Sequence, residues 1–223
     1  MFEFVRGPLI WISFLIFIAG LLYQTFKFFN LSRKKELIFI DLPFNPEKPK
    51  SKGFFQRVGD WLVYLKKETV WRTHPLMMVL TWVFHISLFI IPIFLLGHNI
   101  LLNEAWGISF CSFPEFISDL LTWIPFICGG IFLFRRIFLR RVRAITTGYD
   151  YLTLAITLAP FITGYLAYHQ LAEYQTAIFL HILAGEVMFI TIPFTKLGHM
   201  LFFFFYRFFI GSEYSFGRGS RTW

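Results

Sequence analysis

The sequence predicts an all-α integral membrane protein with five transmembrane helices, on the basis of its composition and of the length of its apolar stretches. Of its 223 residues, 57% are hydrophobic and 15% are charged, and the mean hydropathy is +0.61. One soluble core of this size would not bury so much apolar surface. A helix needs roughly 20 apolar residues to cross the hydrocarbon core. Five stretches are long enough: Pro8–Phe29, Leu76–Leu102, Phe116–Phe134, Tyr151–Tyr168 and Ala177–Phe209.

The distribution of positive charge predicts the topology. The net charge is +8, with ten Lys and Arg residues in 31–73, five in 135–148 and three in 207–223. The two remaining loops, 103–114 and 169–176, contain none. Cytoplasmic loops carry such an excess of positive charge, so we expect the amino terminus outside and the carboxy terminus in the cytoplasm. The same pattern accounts for the basic charge without a nucleic-acid partner.

The chain is expected to form a single domain over residues 1–223. Its one sizeable polar segment, residues 31–73, is predicted to be a basic cytoplasmic loop. Within it, Phe54–Trp71 has apolar residues at helical spacing among basic ones. This pattern is typical of a helix that lies in the membrane interface, and a helix docked on a partner subunit would use the same face. The fifth apolar stretch exceeds one crossing, so we expect it to tilt or to project from the membrane.

Four of the six histidines lie within the predicted spans. His85 and His98 are on the second span, and His181 and His199 are on the fifth. Ionisable residues inside a membrane are costly and usually mark function, although a single one is often only a hydrogen-bonding group. Helix bundles build cofactor sites from side chains on facing helices. Two ligands on each of two antiparallel helices would suit two stacked haems, each ligated by two histidines.

The depths of these histidines favour particular pairs. His98 and His181 both lie near the outer ends of their spans. His85 is about 20 Å further in than His98, and His199 about 27 Å further in than His181, at a rise of about 1.5 Å per residue. His85 and His199 are therefore expected to flank an inner haem. His74 is a rival inner ligand, about 36 Å below His98, and its depth matches less well.

The directions in which these side chains point agree less well. The 18 residues between His181 and His199 make five helical turns, which predicts a shared face. The 13 residues between His85 and His98 leave them roughly 140° apart on an ideal helix, and Pro92 would have to distort the helix. Glycines next to candidate ligands would leave room for a flat macrocycle, although small residues also let membrane helices pack closely. They are Gly97, Gly185 and Gly198.

Several strings on spans two to five occur together in one known family. They are Phe84-His85, Gly97-His98, Glu104-Ala-Trp106, Arg141-Val-Arg-Ala-Ile-Thr-Thr-Gly148-Tyr-Asp150, His181-Ile-Leu-Ala-Gly185 and Pro193-Phe-Thr-Lys-Leu-Gly-His199. Together they resemble the gamma subunit of respiratory nitrate reductase, a five-helix di-haem cytochrome b of the prokaryotic cytoplasmic membrane. The resemblance makes His98 and His181 the iron ligands of an outer haem b, and His85 and His199 those of an inner one.

This sequence differs from the nitrate reductase gamma subunit in two respects, which bear on the partners that the resemblance implies. The spacing from His85 to His98 is three residues longer than in the nitrate reductase subunit. In place of the lysine near that subunit's outer quinol site stand Glu115 and Asp119. The chain looks more like the branch found in transmembrane redox complexes of sulfate reducers. There the cytoplasmic partner is an iron–sulfur subunit resembling heterodisulfide reductase, rather than a nitrate reductase beta-like subunit, and a periplasmic multihaem cytochrome c joins some complexes.

Polar residues near the outer ends of the spans are candidates for a quinol site, with menaquinone or menaquinol as substrate. Such a site needs groups that accept protons beside an apolar pocket, and a solvated loop residue is the plain alternative for each candidate. The candidates are Glu115, Asp119, His169 and Glu173.

Three kinds of side chain have other candidate roles. Glu186, inside span five, would either carry protons or hydrogen-bond to a neighbouring helix. Lys196 would contact a haem propionate or extend to the interface. Arg141 and Arg143 would contact a propionate, anionic lipid or a partner.

The sequence thus predicts an electron-transfer subunit of a quinol-linked respiratory oxidoreductase. Two alternatives stay open: an electron relay between periplasmic cytochrome c and a cytoplasmic iron–sulfur subunit without its own quinol site, and a haem-free membrane anchor. The direction of electron flow does not follow from the sequence.

Overall fold

A computed structural model describes residues 2–33 and 74–210, and within these ranges all regular structure is helical. The helices are α1 (Ile10–Arg33), α2 (Pro75–Phe94), α3 (Leu96–Trp106), α4 (Glu115–Phe138), α5 (Gly148–Tyr168), α6 (Tyr174–Thr191) and α7 (His199–Ile210). A short α-helical turn, Phe2–Phe4, and a π-helical turn, Val5–Leu9, lead into α1, and one further α-helical turn, Arg140–Arg143, follows α4. The interfacial helix predicted over Phe54–Trp71 lies outside the described residues.

Five helical segments are long and apolar enough to cross a membrane. They are Phe2–Asn30, Pro75–Phe94, Glu115–Phe138, Gly148–Tyr168 and Tyr174–Phe194. Large apolar side chains on these helices are widely exposed, up to 84% for Leu76, as lipid-facing surface requires. The predicted fold class is confirmed. The orientation in the membrane stays a prediction.

The chain divides into two compact units, one of Met1–Pro8 with Thr69–Met188 and one of Leu9–Glu68 with Phe189–Trp223. In the first unit, α4 packs against α2 and α5. The rings of Phe84 and Phe132 meet edge to face at 5.2 Å. A Cβ at Gly129 would lie 2.6 Å from Leu158 Cδ1, so the helices α4 and α5 approach closely there.

The start of α5 is held by Asp150, which is buried. Its carboxylate accepts hydrogen bonds from the Thr147 backbone N–H at 2.8 Å and from the Thr147 hydroxyl at 3.0 Å. A guanidinium nitrogen of Arg136 lies 3.9 Å away. An acidic side chain in the first turn also interacts favourably with the helix dipole. Thr147 and Asp150, which belong to one of the strings that carry the family resemblance, therefore have a structural role in capping α5.

In the second unit, α1 packs against the turn that contains Pro193. A Cβ at Gly20 would lie 2.6 Å from Pro193 Cγ, and the Gln24 side-chain amide donates to the Pro193 carbonyl at 2.9 Å. Phe28 contacts the rings of Phe202 and Phe205. Because a proline ring has no freedom to move aside, glycine at position 20 allows this approach.

The second predicted span is two helices instead of one. α2 ends at Phe94, Leu95 is extended with φ −76° and ψ 131°, and α3 begins at Leu96. Pro92, near the end of α2, lacks the N–H that would continue the helical ladder. The expectation of one helix over 76–102 is therefore wrong. The angle of roughly 140° between His85 and His98 assumed one continuous ideal helix, so it does not apply either. Asn99 is buried, and its amide donates to the Ile93 carbonyl that the break exposes, at 3.1 Å.

The fifth predicted span is also interrupted. α6 ends at Thr191, two 3₁₀ turns follow (Ile192–Phe194 and Lys196–Gly198), and α7 begins at His199. Thr195 between the turns is extended, with φ −122° and ψ −177°, and its hydroxyl accepts from the Leu197 N–H at 3.2 Å. Pro193 lacks the donor that would continue the helix. The count of five ideal turns between His181 and His199 therefore does not apply.

Candidate functional site

Two of the predicted ligands, His98 on α3 and His181 on α6, face each other in the first unit. Their ring centroids are 5.9 Å apart, and the ring planes differ by 4°. The two ring planes are thus nearly parallel. Each side chain is only partly exposed. The structure brings together the pair that the sequence predicted from depth alone.

Each of these rings is oriented by a hydrogen bond to a proline carbonyl. His98 Nδ1 donates to the Pro92 carbonyl at 2.9 Å, and His181 Nδ1 donates to the Pro160 carbonyl at 2.9 Å. A carbonyl only accepts, so Nδ1 carries the proton in both rings and Nε2 keeps its lone pair. Ligating histidines are held this way in metal sites. The break after α2 makes the Pro92 carbonyl available, because no continuous helix donor occupies it.

Gly164 on α5 makes room for the His181 ring. A Cβ at this position would lie 2.8 Å from His181 Cε1 and 3.0 Å from Nδ1. Gly164 and Pro160 are not among the residues predicted from the sequence, since α5 carries no histidine and nothing in the local sequence connects it to α6. The glycines it singled out, Gly97 and Gly185, have open space where a Cβ would be.

We expect Gly164→Ala to displace the His181 ring and to destabilise the protein by about 1–3 kcal/mol, as overpacking usually does. Alanine has a higher helix propensity than glycine, so helix propensity alone would predict that the substitution stabilises the protein. The midpoint of denaturant unfolding would measure the effect. The matched control is Gly130→Ala on α4, where a Cβ meets no atom within 4 Å. Equal behaviour of the two variants would contradict the assigned role of Gly164.

The histidine pair fits a metal held by two axial imidazoles. Metal–imidazole bonds of about 2 Å on opposite sides leave ring centroids roughly 6 Å apart, close to the 5.9 Å observed. Within residues 2–33 and 74–210, no group of three or more His, Cys, Asp or Glu side chains is arranged to hold a metal. Two imidazoles are the protein ligands that a bis-histidine haem iron takes, because the macrocycle supplies its other four ligands.

The two predicted inner ligands, His85 and His199, are each oriented in the same manner. His85 is half-buried on α2, and its Nδ1 donates to the Thr81 carbonyl at 2.7 Å. His199 is exposed at the start of α7, and its Nδ1 donates to the Lys196 carbonyl at 2.7 Å. The two belong to different units, and their pairing stays a prediction. The rival, His74, is exposed at the N-cap of α2.

Two of the predicted quinol-site residues, Asp119 on α4 and His169 at the end of α5, are in direct contact. His169 Nε2 lies 2.9 Å from Asp119 Oδ1. The Tyr165 ring packs on the His169 ring with centroids 4.3 Å apart, and Tyr168 lies near the carboxylates of Glu115 and Asp119. We call these five residues the Asp119–His169 cluster. Tyr165 directly follows Gly164, which contacts His181, so the cluster adjoins the histidine pair along α5.

Glu173, the fourth candidate for the quinol site, caps α6 instead. Its carboxylate accepts hydrogen bonds from the backbone N–H of Thr176 at 2.6 Å and of Gln175 at 2.9 Å. Hydrogen bonds from the Thr176 side chain and backbone, and then from Gln175, lower the pKa of Glu173 below its ordinary value. The cap therefore acts above the ordinary pKa of a glutamate and is lost as the pH falls through the lowered pKa.

The remaining predicted residues are less closely placed. Lys196, Arg141 and Arg143 are exposed, so their contacts with propionates stay predictions. A pocket of about 330 Å³ is instead lined by Arg135 and Arg136 together with Asp150. Those two arginines were not singled out from the sequence, although their place at the end of an apolar helix is where basic residues interact with the helix dipole.

The fold makes this chain a multi-pass membrane protein, and comparison with known proteins places it in a family. It is 36% identical to a protein of Nitratidesulfovibrio vulgaris strain Hildenborough, over 223 residues that cover 100% of this chain and 97% of the relative. The chain belongs to the same family as that bacterial protein. No family model matches the chain. No solved structure matches it either.

Proposed function

We propose that the protein is a membrane cytochrome b subunit of a respiratory oxidoreductase, which passes electrons between a quinone pool and partner redox subunits through two haems b. The observation that carries the proposal is the parallel pair of His98 and His181, with both Nδ1 atoms occupied by carbonyls. The resemblance to the nitrate reductase gamma subunit supports the same function. Menaquinol is the proposed quinol substrate.

The residues of the pair would hold a haem between α3 and α6. The carbonyls of Pro92 and Pro160 keep both imidazoles in the tautomer that ligates through Nε2. Gly164 provides the space for one ring. When bound, haem supplies one-electron redox chemistry. His85 and His199 are proposed to hold the second haem in the same tautomer, with Lys196 and Arg143 as candidate contacts for propionates.

The Asp119–His169 cluster is proposed to accept protons from the quinol. Oxidation of a quinol releases two electrons and two protons. His169 would take one proton, and the neighbouring Asp119 carboxylate would stabilise the imidazolium that forms. The second proton would leave to the aqueous phase, and the two electrons would pass one at a time to the proposed haem held by His98 and His181. Tyr165 and Trp123, whose ring centroids are 5.7 Å apart, provide an aromatic wall of the kind that quinone pockets use. This cluster favours a subunit with its own quinol site over a relay without one.

The proposed partners are a cytoplasmic iron–sulfur subunit of the heterodisulfide reductase-like kind and a periplasmic multihaem cytochrome c. These partners are suggested by the resemblance to the cytochrome b subunits of transmembrane redox complexes in sulfate reducers. Positive charge in residues 31–73 would suit docking on the cytoplasmic side. The proposed location is the cytoplasmic membrane of a prokaryote.

Spectroscopy of the purified protein tests the function directly. We expect a reduced-minus-oxidised spectrum with a b-type α-band and about two haems per chain, reduced by a menaquinol analogue as well as by dithionite. Absence of the band would show that the protein is a haem-free anchor. Reduction by dithionite but not by the quinol analogue would favour the relay without a quinol site.

A further inference from the structure

The carboxyl group of Glu186 is buried in α6 and has no hydrogen-bond partner among residues 2–33 and 74–210. Its side chain is 3% exposed. Neither carboxylate oxygen has a hydrogen-bond partner in the part of the chain that the structure describes. Of the two roles that the sequence allowed, a hydrogen bond to a neighbouring helix has no support there. A buried polar group without a partner calls for a functional explanation.

The surroundings of Glu186 leave its charge uncompensated. Among residues 2–33 and 74–210, no Lys, Arg or His side chain donates a hydrogen bond to either carboxyl oxygen. On α6 itself the other titratable side chains are Tyr174 and His181. Burial of an unpaired carboxylate is costly, so the group either binds a proton or lies near a positive charge that the protein chain does not supply.

His181 precedes Glu186 by five residues in the same helix. The two residues are therefore separated by about 7.5 Å along the helix axis. At this distance inside a membrane, a change of one unit of charge beside His181 strongly alters the balance between carboxylate and carboxylic acid. If His98 and His181 hold a haem, the site would carry one more positive charge when oxidised than when reduced, and Glu186 would then favour its carboxylate form in the oxidised protein.

We propose that Glu186 is a redox-linked proton-binding site. When the site between His98 and His181 gains one electron from a quinol, one carboxylate oxygen of Glu186 forms an O–H bond with a proton from the aqueous phase. Oxidation of the site releases that proton. Charge inside the membrane thus stays balanced through each electron transfer. The inference rests on the proposed haem between His98 and His181.

Infrared difference spectroscopy of the haem-loaded protein tests the proposal. We expect the reduced-minus-oxidised spectrum to contain the carbonyl stretch of a protonated carboxylic acid, which shifts in D₂O and is lost in Glu186→Gln. The midpoint potential of the haem is expected to fall as the pH rises in the native protein, and to depend less on pH in Glu186→Gln. Glu186→Asp keeps the acid, so the band remains at a shifted position.

The matched control is Glu104→Gln. Glu104 follows its histidine, His98, by six residues, but it is exposed on α3, so the band and the pH dependence are expected to persist. The proposed proton-binding site is overturned if the carbonyl band survives in Glu186→Gln. It is also overturned if the native protein shows no such band. The visible spectrum of the same sample separates the two proposals. A normal b-type spectrum without the band overturns only the role of Glu186, whereas absence of the b-type spectrum overturns both.

Discussion

Replacement of His181 by alanine is expected to remove one of the two proposed haems, so that the haem content falls from about two to about one per chain. The variant loses one of the two imidazoles proposed to hold the outer haem. Loss of an axial ligand usually abolishes stable binding of the group it held. Haem extraction and the amplitude of the α-band would measure the loss.

His98→Ala is expected to have the same effect as His181→Ala, and the double variant to lose no more than either single one. Such non-additivity is expected of two residues that hold one group. His74→Ala is the matched control, because His74 is exposed at the N-cap of α2. It should retain both haems. Loss of a haem from His74→Ala would instead make His74 the inner ligand in place of His85.

Replacement of Asp119 by asparagine is expected to slow the reduction of the haems by a quinol by about 100-fold, which is within the usual contribution of a positioned acid–base group. The amide cannot stabilise a protonated His169, whose Nε2 lies 2.9 Å from Asp119 Oδ1. His169→Ala should have an effect of similar size. Stopped-flow mixing with a menaquinol analogue would measure the rate. Reduction by dithionite should remain unchanged, because the haem ligands are intact.

Glu173→Gln is the control that the structure supplies for this experiment. The sequence also made Glu173 a candidate for the quinol site. In the structure its carboxylate caps α6 and accepts from the backbone of Gln175 and Thr176. The rate of reduction by quinol is therefore expected to stay near that of the native protein. A loss in Glu173→Gln as large as in Asp119→Asn would argue against the Asp119–His169 cluster as the proton acceptor.

The sequence by itself determined the five membrane-length helices and the candidate histidines. Long apolar stretches have few alternatives in a membrane, because each backbone polar group must be satisfied within its own segment. The pairing of His98 with His181 also followed from the sequence, since both lie near the ends of spans that run in opposite directions. Depth in a membrane depends on position along the chain, which a sequence shows directly.

Only the tertiary structure decided how the rings are oriented. The helices are interrupted at Leu95 and at Thr195, so the facing directions of residues on either side cannot be calculated from the number of residues per turn. The space for the His181 ring comes from Gly164, and its hydrogen bond comes from Pro160; both are on a different helix. Likewise, the structure distinguishes the roles of Asp119 and Glu173: Asp119 contacts His169, whereas Glu173 caps α6. The physical reason is that these contacts join residues far apart in the chain, whereas sequence patterns report on neighbours within a few residues.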